Sequence, residues 1–346
     1  MSQTTLYRKH RPQSFDDVKG QDQVVNVLKK AVENQTFSHA YLFAGSRGTG
    51  KTSVARIFAR AIGCSDNDIY EVDAASNRKI EHIRELRESV SSLPLESPFK
   101  LYIIDEVHML TREAFNAFLK TLEEPPAHAL FVLATTEAQK LPETVSSRCQ
   151  VFDFKTPTKN VLKEVLLDIA KKESRELESS AAELMALLAD GSFRDSLGIL
   201  QKIITVYPSG SISQDMVEKV TSAPPSDLVN RFLEAIVKKD RDQGLSVITQ
   251  AVEKNINIEV FLRLVLEKIR FVIFLRSAPS LKTLVEDSTS PDDLVFLQKL
   301  SDERSITPKE LLKLLNTAPS IRLSAIPQLP LEVAILELTE GGVASE

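Results

Sequence analysis

Two hydrophobic rhythms divide the chain. Up to residue 157, short apolar runs alternate with stretches whose apolar positions recur every three or four residues. The runs are Ala40–Ala44, Asp68–Ala75, Lys100–Asp105, Ala129–Thr136 and Gln150–Phe154. Short apolar runs bounded by polar turns predict buried strands. The stretches between them, Gln21–Val32, Thr52–Ile62, Asn77–Val90 and Arg112–Glu124, predict amphipathic helices. Val24, Val25, Leu28 and Val32 share one face of the first, and Pro125-Pro126 stops the last. Strands alternating with helices predict a parallel sheet covered by helices on both faces. From Thr158 onward the rhythm is helical only, in Val161–Glu173, Ser180–Asp190, Ser192–Val206 and Ser213–Val220. Ser222-Ala-Pro-Pro225 breaks it, and helices then continue to about Leu338, punctuated by Pro279, Pro291, Pro308, Pro319, Pro327 and Pro330. The expected domains are an α/β domain over 1–157, a small helical lid over 158–222 and an all-α C-terminal domain over 223–346.

Length and composition narrow this picture. At 346 residues the chain exceeds one ordinary core, and its 42% hydrophobic and 26% charged residues are those of a soluble globular protein. The net charge of −5 requires any nucleic-acid contact to come from a local basic patch. The apolar stretch Val260–Leu275 contains Arg263, Glu267, Lys268 and Arg270, which makes it a packed helix and not a membrane span. Cys64 and Cys149 are the only cysteines and no signal peptide opens the chain, as expected for the reducing cytoplasm.

The chemistry concentrates in Gly45-Ser-Arg-Gly-Thr-Gly-Lys-Thr52, a glycine, four residues, then Gly-Lys-Thr. An apolar run precedes it and a helical pattern follows, which is the setting a phosphate-binding loop needs. Without side chains at Gly48 and Gly50 the loop can curl and aim backbone N–H groups inward, and the following helix adds its positive dipole end. Gly45, Ser46, Arg47, Gly48, Thr49, Gly50, Lys51, Thr52 and Ser53 are the candidate nucleotide contacts. Lys51 is expected to reach the β- and γ-phosphates, and Thr52 to ligate Mg²⁺. A second run, Lys100-Leu-Tyr-Ile-Ile-Asp-Glu106, ends in two carboxylates where ligands bind off parallel strands. Asp105 is expected to hold the metal ion, directly or through water, and Glu106 to orient the attacking water. The basic arm Leu6–Gln21 is open to two readings, a solvated tail or a cover over the adenine.

Longer stretches resemble the AAA+ ATPases, and in detail the gamma/tau family of bacterial DNA polymerase III subunits, the motor of the sliding-clamp loader. The resemblance runs through Tyr7-Arg-Lys-His-Arg-Pro12, His39-Ala-Tyr-Leu-Phe43, Asp73-Ala-Ala-Ser76, Ile104-Asp-Glu-Val-His-Met-Leu110, Phe115–Pro126, Leu133-Ala-Thr-Thr136, Gln139-Lys-Leu-Pro142, Ser147-Arg-Cys149, Gly191-Ser-Phe-Arg-Asp-Ser196 and Ile326–Ala334. It covers nearly the whole chain. It implies an AAA+ core, a lid and a helical oligomerisation collar over 223–346. It implies that Arg148 reaches the γ-phosphate held by a neighbouring subunit, and that Arg194 senses nucleotide within its own chain. Thr135 or Thr136, with Thr136 favoured, resembles the polar sensor between Glu106 and the phosphate. The arm then lies over the adenine, with Arg8, Arg11, Pro12 and Val18 as contacts.

The implied partners are the other clamp-loader subunits in a hetero-pentameric ring with several copies of this chain, the sliding clamp and primer–template DNA, with no membrane. Arg78, Lys79, Arg112 and Lys120 are candidate DNA-backbone contacts, and each could equally be a solvated helix-face residue. The implied substrate and ion are ATP and Mg²⁺. The family's four-cysteine zinc module is replaced by Cys64-Ser-Asp-Asn-Asp-Ile69, so no structural zinc is expected. The chain ends soon after Pro327–Leu338, as a short or a truncated form would. Two other readings are another AAA+ DNA-remodelling ATPase, of branch-migration or initiator type, and a non-catalytic clamp-loader subunit.

Overall fold

The computed structural model describes residues 4–77, 80–289, 291–302 and 306–339. Five strands, β1 Ala40–Ala44, β2 Ile69–Asp73, β3 Lys100–Asp105, β4 Ala129–Thr135 and β5 Gln150–Asp153, form one sheet. Their order is β2-β3-β4-β1-β5, with every neighbouring pair parallel. The continuous apolar runs occupy the middle. All five residues of β1 and all seven of β4 are buried, whereas the edge strands β2 and β5 are partly exposed. Register aligns the carboxyl ends, with Ala44 opposite Thr135 and Asp73 opposite Asp105. The residues that follow β1, β3 and β4 therefore emerge on one rim, where parallel sheets bind ligands.

The helices of this region are α1 Leu6–Lys9, α2 Asp22–Glu33, α3 Lys51–Ala61, α4 Ile80–Ser91, α5 Arg112–Glu123 and α6 Glu143–Ser146. Val24, Leu28, Val54 and Phe58 of α2 and α3 pack on Tyr41 and Phe43. Leu86, Val90, Phe115 and Phe118 of α4 and α5 pack with Leu42, Tyr102 and Leu133. Each such side chain contributes about 1.5–3 kcal/mol by leaving water. Thr111 caps α5 by accepting the Ala114 N–H at 3.2 Å.

The remainder is helical: α7 Lys159–Lys172, α8 Ser179–Leu188, α9 Phe193–Val206, α10 Gln214–Thr221, α11 Ser226–Lys238, α12 Arg241–Glu253, α13 Ile258–Ser277, α14 Lys282–Ser288, α15 Pro291–Asp302, α16 Pro308–Leu323 and α17 Leu329–Leu338. The chain forms two compact units. One is Met1–Glu164 with Ala189–Gly198, and the other is Val165–Leu188 with Ile199–Glu346. Arg194 thus belongs to the unit that contains the phosphate loop.

In the second unit α13 is the central helix, packed against α11, α15 and α16. Its Phe261, Leu262, Val265, Ile269 and Val272 are buried. Lys268 of α13 is 8% exposed and donates to Ser226 Oγ at 2.5 Å, Asn230 Oδ1 at 2.7 Å and Asp293 Oδ1 at 2.8 Å, tying α11, α13 and α15 together. Pro291 and Pro308 open helices, as their missing N–H permits. Pro319, expected as a break, lies inside α16. Its missing N–H removes one bond of the helix ladder, and the helix nonetheless continues to Leu323. Among the described residues no helix is long and apolar enough to cross a membrane.

Candidate active site

The chain leaves β1 at Ala44, turns through Gly45–Gly50 and enters α3 at Lys51. Gly48 and Gly50 have φ of +76° and +102°, and Gly50 is the N-cap of α3. The two glycines are needed for different reasons. A Cβ on Gly48 would stand 2.1 Å from Ser192 Oγ, whereas a Cβ on Gly50 would meet nothing within 4 Å and only the backbone angle forbids it. The loop is closed by its own backbone and by neighbours. Thr49 Oγ1 donates to Ser46 O at 2.9 Å, and Gly45 N donates to Thr135 O at 3.2 Å.

Lys51 is 6% exposed, and its ammonium donates to the carbonyls of Gly45 at 2.7 Å and Ser46 at 2.9 Å. Burial lowers its pKa, while the charges of Glu106 and Asp105 work in the opposite sense. Thr52 Oγ1 donates to Asp105 Oδ2 at 3.0 Å. A hydroxyl beside a carboxylate at the start of a helix is an all-oxygen donor set. It suits Mg²⁺, which keeps waters and phosphate oxygens as its other ligands. Among the described residues no three His, Cys, Asp or Glu side chains are grouped to hold a metal ion. Cys64 is buried and donates to Phe99 O at 3.3 Å, and burial pushes its thiol up to about 12.

Past β3, Glu106 takes a left-handed backbone conformation, φ 50° and ψ 43°. Its N–H donates to Asp105 Oδ1 at 3.0 Å, and its Oε2 accepts the Thr136 hydroxyl at 2.9 Å. Thr136 is therefore the threonine that reaches Glu106 directly. Thr135 turns its hydroxyl to His108 Nδ1 at 2.8 Å.

The arm and the Gly191–Ser196 stretch complete the site. Arg11 Nε donates to Ser53 Oγ at 3.0 Å, which brings the arm to α3. Burial, and then the nearby Arg56 charge, lower the Arg11 pKa. Val18 packs on the cluster formed by α2 and α3, Pro12 is half-buried, and Arg8 is exposed with its guanidinium 5.8 Å from the Tyr7 ring centre. Arg194 lies over the same ring at 5.7 Å. Its charge is felt by Lys51 and Arg11. Three residues that shape the site are not among the sequence candidates. Gln21, 3% exposed, donates to Lys155 O at 2.7 Å and accepts the Lys155 N–H at 3.1 Å, fixing the end of β5 behind the loop. Ser192 abuts Gly48, and the next residue, Phe193, donates its N–H to Gly48 O at 3.0 Å. Gly191-Ser-Phe-Arg was the available signal for Ser192, but nothing local marks the Gly48 contact. Tyr7 is the third.

Other candidates stand apart from this group. Arg148 donates to Glu123 Oε1 at 2.7 Å and to Thr144 O at 2.8 Å. Arg112 and Lys120 are exposed, eight residues apart on α5 and so on one face. Arg78 and Lys79 lie outside the described residues.

Comparison with known proteins adds to this geometry. A family model described as DNA polymerase III, delta subunit matches residues 20–78 and 66–158. The chain is 34% identical over an alignment of 362 positions to DNA polymerase III subunit tau of Bacillus subtilis, covering 98% of this chain and 64% of that protein. It is 35% identical to DNA polymerase III subunit gamma of Buchnera aphidicola subsp. Baizongia pistaciae, covering 82% of each. Against four longer relatives, the chain spans 41 to 64% of their length. The solved Thermotoga maritima RuvB Holliday junction branch migration motor superposes with a TM-score of 0.52 at 24% identity, over 66% of this chain and 79% of that one. That likeness shows a shared fold.

Proposed function

The chain belongs to the DNA polymerase III subunit gamma/tau family, and from that premise we propose that it is an ATP-driven motor subunit of the bacterial sliding-clamp loader. The observation that carries this reading is an intact hydrolytic set on one rim. Lys51 is held at the phosphate loop, Thr52 is hydrogen-bonded to Asp105 at 3.0 Å, and Glu106 is anchored by Thr136 at 2.9 Å. A purely structural subunit would have no use for that combination.

In this reading the loop N–H groups and Lys51 grip the β- and γ-phosphates of ATP, and Arg8, Arg11, Pro12 and Val18 border the adenine. Mg²⁺, held by Thr52 and Asp105, would neutralise charge developing on the phosphate oxygens. Glu106 takes the proton of the attacking water, and Thr136 holds that carboxylate in place. Arg194 meets the γ-phosphate within the chain. Arg148, parked on Glu123 here, acts across a subunit boundary on a neighbour's ATP, so hydrolysis depends on assembly.

The working division is a nucleotide-binding domain over 1–157, a lid over 158–222 and an oligomerisation collar over 223–346. The ring contains several copies of this chain with other clamp-loader subunits, works in the cytoplasm, and takes the sliding clamp and primer–template DNA as partners. Arg78, Lys79, Arg112 and Lys120 are its candidate phosphate-backbone contacts. The test is ATP hydrolysis by the assembled ring. Stimulation by clamp and primed DNA together, beyond either alone, is the expected result. A rate indifferent to both would reject the motor reading.

A further inference from the structure

Glu106 must aim a flexible side chain from a left-handed backbone conformation that persists only when its surroundings impose it. The Thr136 hydroxyl fixes Oε2 at a single point. A carboxylate held at one point still swings about its last torsion. The imidazole of His108 stands beside the same oxygen and bounds its swing on one side. Its Nδ1 lies 3.5 Å from the same Oε2, and the ring is 5% exposed.

We propose that His108 is the positioning residue for Glu106 and that it connects the carboxylate to the phosphate loop through Thr135. The proposal rests on the reading of Glu106 as the group that activates water. Thr135 is fully buried, and its polar groups have three partners, the hydroxyl also accepting the Glu137 N–H at 3.0 Å. Its hydroxyl meets His108 Nδ1 at 2.8 Å, and its carbonyl accepts the N–H of Gly45 at 3.2 Å. On its other side His108 places Nε2 3.7 Å from Glu137 Oε1, and Glu137 is in turn paired with Lys140 at 2.6 Å. The imidazole is thus bracketed by a strand residue and two carboxylates, and cannot turn without breaking the Thr135 contact. A shift of Gly45 reaches Glu106 through one strand residue and one ring.

The test uses the full chain assembled with its partner subunits, the clamp and primed DNA. His108→Ala is expected to lower kcat about 10- to 100-fold, the scale of loss when a reacting group is misplaced, with the KM for ATP changed less than about twofold. His108→Asn, which returns a polar atom near the position of Nδ1, should recover most of the loss. Adding His108→Ala to Glu106→Gln should slow turnover no further, because the histidine acts through that carboxylate. If His108→Ala does not fold, Thr135→Val takes its place, leaving the ring present but unanchored, with the same expected drop in kcat. A wild-type kcat in the folded histidine or threonine variant, while Glu106→Gln is slow, overturns the positioning role alone. An equal further loss in the double variant overturns it too, since His108 would then act independently. A wild-type rate in Glu106→Gln removes the water-activation reading and this proposal with it.

Discussion

Two buried lysines, one in each compact unit, show how the same residue does opposite jobs. Lys51 is 6% exposed and Lys268 is 8% exposed, and burial lowers the pKa of both. The difference lies in what receives their N–H groups. Lys268 meets the carboxylate of Asp293 with the Ser226 hydroxyl and the Asn230 amide, so its charge is matched and its three donors are filled. Lys51 donates to two neutral carbonyls, and the carboxylates that favour its charge act only at longer range. The first arrangement is finished and pins helices together. The second holds a cation whose neutralising partner must come from outside, as a phosphate would.

The largest effect that could break this contrast is at Lys51. Lys51→Ala is expected to abolish hydrolysis and weaken ATP binding by about 2–5 kcal/mol, the scale seen when one partner of a charged contact is removed. Its melting temperature should hold or rise, because a buried charge without a bonded counter-ion is gone. Fluorescent-nucleotide titration beside thermal unfolding decides this, and wild-type affinity would sink the contrast.

A third cation sharpens it. Arg148 is 35% exposed and half-occupied by Glu123. Arg148→Ala should keep its own ATP affinity, yet turnover of the assembled ring should fall by about 10³ or more. Mixing it with Lys51→Ala chains should restore some hydrolysis where an intact pocket faces an intact arginine. A mixture shown to co-assemble, yet as inactive as either parent, would refute action across the boundary.

Next comes the finished pair. Asp293→Ala strands a buried ammonium and should destabilise the second unit by about 3–5 kcal/mol, whereas the double variant Lys268→Met, Asp293→Leu should sit within about 1–2 kcal/mol of wild type. Urea unfolding reads both. A mild Asp293→Ala phenotype would mean that Lys268 finds other acceptors.

The smallest effect belongs to a carboxylate. Asp68 is fully buried, which alone would raise its pKa. The N–H groups of Leu95, Glu96 and Ser97 outweigh this and bring it to about 2. A depressed folded pKa gives stability that is full above the ordinary carboxyl value near 3.9 and drains as pH falls toward 2. Asp68→Asn should flatten that acid limb of the urea midpoint. An unchanged slope would show that the charge is not what holds the loop at Leu95–Ser97.

What the sequence disclosed follows from the range of the forces involved. The central strands were legible because burial on both faces leaves continuous apolar runs, and the phosphate loop because its glycines and Lys51 act within eight positions. Asp105 and Glu106 were legible as the polar end of such a run. Gln21 with Lys155 and Gly48 with Ser192 were not, because a contact between distant segments leaves no local period. Helical periodicity likewise does not say which core a helix joins. Ala189–Gly198 carries a helical pattern, yet it packs with the sheet-containing unit. Pro319 reads as a stop, yet α16 runs through it to Leu323.

The contact of Ser192 and Phe193 with Gly48 also sets a clock on synthesis. A ribosome makes the loop first and its brace only after residues 53–191 have followed. Until residue 193 has cleared the exit tunnel, Gly48 has neither its hydrogen-bond donor nor the wall that bounds it. A nascent chain halted before that point would carry every residue of the nucleotide loop and still lack the brace on Gly48.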